Sequence, residues 1–445
     1  MDELPKSTED FSLLKYLNLS WSNVRWLPSS IGRLCNLLTL DLCYSQIEEL
    51  HKEMGKLCNL RHLGLKDTAK LEFVAEGLGK LTNLRTLHRF MVCDDKGKTS
   101  LRGETVKVID AKNVHLKERH ELIGVELDFK VGDNDTVDSA SEERGLLEAL
   151  EPPHCIERLG ICGYKGDGPA WYLDTNYVEL SMLRLECCPS WATVIGIKSL
   201  EELKVKYCPT LYELPSMPLL KSLKIWECDG LHTIDDLPAL ESLDVKGCGR
   251  VEQVADDHMP ALKGLWLSDL NILKQLPTHL PSLELHVNHL PNWESTFTSM
   301  SCLRRAFFNN CPKMQTEVLI YALSERRKCA RLGWKLLEQL PNLIDLHLDP
   351  ESAVLLSSQV STFLPSLKHL YLGDNNVDEE VKWGRVPQWV WGLSQLELLH
   401  LVGFTEDISL GGLWQCLPKL RWLRIYDFLN LKSVVDPDQN LDSIK

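Results

Sequence analysis

No stretch of this 445-residue sequence approaches the roughly 18 consecutive apolar residues that a membrane-spanning helix needs. The opening residues, MDELPKSTEDF, also lack the basic start and apolar core of a signal peptide. Positive charge is in deficit: 49 Lys and Arg stand against 63 Asp and Glu, a formal charge of −14. A general nucleic-acid or membrane-surface binder needs a basic face to neutralise phosphates, so neither partner is expected, although a local basic stripe is compatible with the balance. No Cys-x-x-Cys or clustered Cys/His spacing is present, which removes the common structural metal sites. Nor is there a Gly-x-Ser-x-Gly element. The run Gly97-Lys98-Thr99 ends like a phosphate-binding loop, but its first glycine would fall at Val92. Catalysis, cofactors and metals are therefore not expected.

What the sequence has is a period. LKYLNLSWSNVRWLPSSIGRLCN is followed by LLTLDLCYSQIEELHKEMGKLCN and then by LRHLGLKDTAKL. Leu14, Leu17 and Leu19 return as Leu37, Leu40 and Leu42, and again as Leu60, Leu63 and Leu65, one unit every 23 residues. A fixed period of this length is the mark of a solenoid in which no unit buries its apolar face alone. Alternation at Leu17-Asn18-Leu19 suits a strand with one buried face. Val24, Leu27, Ile31 and Leu34 then recur at three or four, as a short helical or 3₁₀ return does, with Pro28 at its entry. The expected fold is an α/β leucine-rich-repeat solenoid, a curved horseshoe of about sixteen irregular repeats with a parallel inner sheet. Strands about 4.8 Å apart would give an inner sheet about 75 Å long.

The strand core recurs, among other places, at Leu122-Val125-Leu127, Ile156-Leu159-Ile161, Leu180-Leu183-Leu185, Leu223-Ile225, Leu265-Leu267, Leu346-Leu348 and Leu399-Leu401, with an irregular unit at Leu283. Eight residues after the first leucine stand Ser22, Ser45 and Thr68 in early units and Cys188, Cys208, Cys228, Cys248 and Cys311 later. There the chain turns inward, and a small polar side chain can satisfy buried backbone groups. This expected role is structural, and the 15 cysteines fit a reducing, intracellular setting.

The organisation expected from these patterns is regular repeats over 1–93, degenerate repeats with an acidic insertion over 94–152, cysteine-type repeats over 153–312, an irregular, helical segment over 313–340 and further repeats over 341–445. Arg89 takes a normally apolar slot in the fourth strand. Gly132 to Arg144, GDNDTVDSASEER, reads as a solvated or disordered insertion.

Side chains between the strand leucines point away from the core. That rule places Arg184, Lys204, Lys206, Tyr207, Lys224, Trp226, Lys246 and Trp266 on an inner face, the candidate protein-binding surface. Glu186, Glu202, Glu227, Asp244 and Asp269 interleave and blunt its charge.

The units VRWLPSSIGRLCNLLTLDL and EELHKEMGKLCNLRHLGL resemble the repeats of plant intracellular nucleotide-binding leucine-rich-repeat immune receptors of the coiled-coil class. His51 stands where the pattern has proline. LTNLRTLHRFMV (81–92) is similar to that family's irregular repeat. GLLEALEPPHCIERLGICGYKGDGPAW (145–171) is similar to its passage of Gly-Tyr-x-Gly and Pro-x-Trp, and VPQWVWGLSQLELLHL (386–401) to its Pro-x-Trp repeats. The resemblance implies recognition in plant defence, with a pathogen effector, a guarded host protein or a receptor's nucleotide-binding domain as the protein partner, in the cytoplasm or nucleus. It transfers no nucleotide binding, because the phosphate loop is missing and the chain opens inside a repeat at Leu4-Pro5. A constitutive signalling scaffold is the alternative the early units suit. A ubiquitin-ligase adaptor stands third, since no F-box-like helical segment precedes the repeats.

Overall fold

The computed structural model describes residues 11–71, 80–91, 98–99, 105–106, 115–129, 139–168, 176–194, 197–254, 259–273, 284–292, 304–309, 342–348, 364–373, 386–404, 408–409, 416–426 and 431–433. The chain divides into two compact units, 1–220 and 221–445.

In the first unit eight short strands carry the repeat: β1 Tyr16–Asn18, β2 Thr39–Asp41, β3 His62–Gly64, β4 Thr86–Met91, β5 Gly124–Asp128, β6 Arg158–Cys162, β7 Met182–Glu186 and β8 Glu202–Lys206. Each pairs in parallel with its neighbour in sequence. Register aligns like with like: Leu40 lies beside Leu63, Val125 beside Leu159, Leu183 beside Leu203. In β7 and β8 the first, third and fifth residues are half-buried and the second and fourth fully buried, the alternation that one apolar face dictates.

The second unit repeats the plan with nine strands: β9 Ser222–Trp226, β10 Ser242–Lys246, β11 Gly264–Ser268, β12 Glu284–Asn288, β13 Arg305–Asn309, β14 Asp345–Leu348, β15 His369–Leu372, β16 Leu398–Val402 and β17 Trp422–Tyr426. All eight successive pairings are parallel. The irregular unit at Leu283 has its strand core at Leu285 and Val287, both fully buried, and this sets His286 between them.

Parallel pairing forces each coil to return outside the sheet, and the return is short. Regular 3₁₀ turns cover Ser29–Arg33, Lys52–Lys56 and Gln388–Gly392, as expected from their spacing. Pro28 and Pro387 stand at two N-caps. At the third, His51 replaces proline and its Nδ1 accepts from the Glu53 amide at 3.1 Å. Coils are tied through asparagine: the side-chain amides of Asn36, Asn59 and Asn83 donate to the carbonyls of Ser12, Cys35 and Cys58 at 2.7 to 2.8 Å.

After the strands the backbone enters the left-handed region, at Trp21, Tyr44, Cys187, Tyr207, Glu227 and Asp269 among others. The next residue points inward. Ser22, Ser45 and Thr68 donate to the carbonyls of Leu19, Leu42 and Leu65 at 2.6 to 2.8 Å. Cys188, Cys208, Cys228 and Cys248 are buried and donate to the carbonyl two residues back at 3.3 to 3.4 Å. The longer thiol also lets Cys188 and Cys248 reach Ile161 and Ile225 of the preceding coil at 3.7 Å. Cys311 lies outside the described residues, as does the segment 313–340.

Two expectations change. The strand β4 carries a bulge, so three steps from Leu87 match two steps from Val125 and Phe90 becomes the partner of Leu127. Phe90 is buried at 2 % exposure, so the core slot that Arg89 would have taken is apolar after all. The insertion expected over 132–144 is described from Ser139, where it begins helix α1, Ser139–Ala149. Leu147 and Leu150 are fully buried, and Glu143 accepts from the Lys165 amide at 2.8 Å, so this helix docks on the coil containing β6. That same turn explains the Gly-Tyr-x-Gly passage: the Tyr164 ring is buried between Phe129 and Trp191, and a side chain at Gly166 would sit 2.2 Å from its hydroxyl.

Candidate functional site

The eight residues expected on the inner face divide between the two units. In the first, Arg184 lies between Glu126, at 3.1 Å, and Glu186, and Lys204 pairs with Glu202 at 2.7 Å. Burial pushes the Glu126 carboxyl up and Arg184 opposes that push. Lys206 ends β8, and Tyr207 lies past the strand in the left-handed turn, 52 % exposed. These cations are largely engaged by acids of their own sheet, so the stripe is close to neutral. In the second unit Lys224 and Trp226 are the cross-strand partners of Asp244 and Lys246, and Asp244 is in turn the partner of Trp266.

Trp266 is the start of something larger. From β11 to β16 the third residue of each strand carries a ring: Trp266, His286, Phe307, His347, Tyr371 and His400 are successive cross-strand partners over six strands, and in β17 that position is Arg424. Their centroids are 5.4, 5.8, 5.5, 3.9 and 5.5 Å apart in that order. Tyr426 of β17 closes the series against His400 at 5.2 Å. The parallel register makes this ladder: an in-register stack puts the same position of every coil side by side, so rings at that position must touch.

The rings lie on the solvent side of the sheet; those from Trp266 to His400 are half-buried, and Tyr426 at the end is exposed. Three contacts are stacked, with interplanar angles of 15 to 21°, and two at the Tyr426 end are edge-to-face. Crowding takes the imidazoles out of water. Burial lowers the pKa of His286 and His400, and that of His347 falls to about 4, so all three are neutral at pH 7. His400 Nε2 is buried with no hydrogen-bond partner among the described residues.

Beside the ladder runs a column of alternating charge. Arg305 binds Glu284 on one side and Asp345 on the other, its Nε 3.2 Å from Asp345 Oδ2, and Asp345 also binds His369. Between column and ladder opens a pocket of about 290 Å³, lined by His286, Arg305, Ala306, Phe307, Asp345, His347, His369 and Tyr371. Of the expected site residues only Trp266 belongs to this ladder. The other rings were readable at the position between the two strand core residues, but with the unit at Leu283 left irregular the register of β12 was missing and the series breaks at its second member, His286.

Among the described residues no group of His, Cys, Asp and Glu could hold a metal ion. Lys98–Thr99 pairs antiparallel with Thr105–Val106, a hairpin and not the strand-to-helix turn of a phosphate loop. No described helix is long and apolar enough to cross a membrane.

Coils that each bury two strand residues, turn inward on a hydrogen-bonding side chain and stack in parallel define a solenoid repeat protein. The chain belongs to the leucine-rich-repeat family: the model for a leucine-rich repeat region matches residues 5–305. No curated protein matches it. Among solved structures it is similar to the TLR13–ssRNA13 complex, at 17 % identity and TM-score 0.50 over 96 % of this chain and 73 % of that one. It is also similar to a leucine-rich-repeat protein of Leptospira interrogans, at 16 % identity and TM-score 0.41 over 98 % and 95 %. A third is the functional domain of InlJ from Listeria monocytogenes, which includes a cysteine ladder, at 14 % identity and TM-score 0.42 over 77 % and 71 %. The likeness to the first of these, at 17 % identity, shows the shared fold alone.

Proposed function

We propose that the chain is a protein-recognition module without chemistry of its own, and that the ring ladder from Trp266 to Tyr426 is its contact surface. The observation that carries this reading is the ladder itself: seven rings in unbroken contact on the water-facing side of the sheet. Large, rigid rings with a polar tip give contact area at low entropic cost, and they dominate interface energetics. A core needs no such row outside it. Of the cations singled out from sequence, Lys224 and Lys246 of the same unit are read as a polar flank of the ladder.

The setting proposed is plant defence, with a pathogen effector, a guarded host protein or a receptor's nucleotide-binding domain as partner, in the cytoplasm or nucleus. It rests on the resemblance of residues 145–171 and 386–401 to the immune-receptor repeats. The test is a two-hybrid screen of effectors, host proteins and nucleotide-binding domains, followed by His347→Ala with Tyr371→Ala against any partner found. Loss of binding with an intact circular dichroism spectrum is expected. Undiminished binding to the double variant would move the contact off the ladder.

A further inference from the structure

Arg33-Leu34-Cys35-Asn36 and Lys56-Leu57-Cys58-Asn59 put a thiol at the same position of two successive coils. The two turns are copies of each other. Leu34 has φ and ψ of −77° and 58°, Leu57 of −76° and 61°. The Cys35 amide donates to Arg33 O and the Cys58 amide to Lys56 O, both at 2.8 Å. The Leu37 and Leu60 amides donate back to Leu34 O and Leu57 O, both at 2.9 Å. Equal backbones in stacked coils send both Cα–Cβ bonds the same way, so the two thiols lie side by side.

The coils are also close at this point. Asn59 donates its side-chain amide to Cys35 O at 2.7 Å. Further along the chain the Arg61 and His62 amides both reach Leu38 O, at 2.8 and 3.0 Å. Before Cys35, a Cβ placed on Gly32 would stand 2.5 Å from Glu53 O. Contact on both flanks holds the two turns at the strand spacing of about 4.8 Å, within the Cα separation of about 4.4 to 6.8 Å that a disulfide spans. Bridged Cβ atoms stand about 3.5 to 4.5 Å apart, so closure asks the coils to approach only slightly.

Both thiols are exposed. The buried turn cysteines donate to carbonyls, whereas Cys35 and Cys58 make no such side-chain bond among the described residues. In the coils on either side the matching positions are Ser12 and Thr82, so each thiol has the other as its one in-register sulfur neighbour.

We propose that Cys35 and Cys58 are a redox-responsive pair that closes a reversible disulfide by exchange with a small disulfide of the glutathione class, tying the coil of β2 to the coil of β3. One protein thiolate attacks the S–S bond of the small disulfide, forms a mixed disulfide and releases one small thiol. The neighbouring thiolate then attacks the protein sulfur of the mixed disulfide and releases the second. Two protein thiols are oxidised, the small disulfide is reduced to two thiols that carry the protons away, and no other oxidant enters. An exposed bridge stays open to the reverse attack, which suits a switch.

The test incubates the full chain, natively folded, with glutathione disulfide, quenches with acid and maps the peptides by mass spectrometry. The Cys35 and Cys58 peptides should be joined, two hydrogens lighter than their sum, with glutathione on neither. Cys416 is exposed and has Gly392 at the matching position of the coil before it, so it should keep a bound glutathione. Cys35→Ser should leave glutathione on Cys58, and Cys58→Ser should leave it on Cys35, because the second attack is then missing. The bridged chain should unfold at a higher temperature than the reduced one, and dithiothreitol should restore the lower value. A wild type without the Cys35–Cys58 bridge overturns the proposal, whether it carries glutathione on both residues, on neither, or forms linked dimers. A bridge that leaves the unfolding temperature unchanged overturns the tie between the coils.

Discussion

His347 and Tyr371 lie directly opposite each other on neighbouring strands, with ring centroids 3.9 Å apart and planes 15° from parallel. They are the tightest step of the ladder. Burial holds the His347 pKa at about 4, below its ordinary value of 6.5. A histidine with a depressed native pKa binds fewer protons folded than unfolded, so stability rises with pH over that interval. The contribution is complete above pH 6.5 and is lost as pH falls toward 4.

The first prediction follows directly. A thermal midpoint that is steady from pH 8 to 7 should fall between pH 6.5 and 4, and His347→Phe should flatten part of that fall. Titration of the His347 ring by NMR gives the same answer residue by residue. A midpoint near 6.5 for that ring would show the stack is open to water.

Leu223 is fully buried in β9 and is the partner of Leu243. Leu223→Ala opens a cavity between coils and should cost about 2 to 5 kcal/mol in urea unfolding. Lys224→Ala, one residue away on the other face, should leave the midpoint within about 0.5 kcal/mol. Equal effects would mean the strand is turned over.

Gly373 follows β15 with φ of +134°, and a Cβ there would stand 2.5 Å from that of Val402. Gly373→Ala combines a backbone strain of about 1 to 3 kcal/mol with a clash that neither strand can relieve alone. Thermal unfolding should show a loss at least that large. Gly145→Ala, in α1 with open space around it, should instead stabilise by up to about 1 kcal/mol.

The turn cysteines are buried and bonded to carbonyls, whereas Cys35, Cys58 and Cys416 are exposed. Alkylation of the native protein followed by mass mapping should label these three before the turn cysteines. Cys188, Cys208, Cys228 and Cys248 should react only after denaturant is added. Early labelling of Cys228 would contradict the inward turn.

How much of this was legible follows from how repeats work. The sequence determined the coil: the leucine spacing fixed which strand residues are buried, the serine-to-cysteine position fixed the inward turn, and the 3₁₀ returns were readable from Val24, Leu27, Ile31 and Leu34. These are local, because each depends on neighbours a few residues away. The bulge that brings Phe90 into the core in place of Arg89, and the helix from Ser139, depend on partners further off. The ladder is the clearest case. Trp266, His286, Phe307, His347, Tyr371 and His400 each lie between two strand core residues but are separated by 20 to 40 residues of unequal coils, so no short window contains two of them. Parallel pairing removes that separation, because strand register sets position in space regardless of how much chain each coil spends on its return. The period decided that a surface would be built, and only the stacked sheet decided which side chains meet on it.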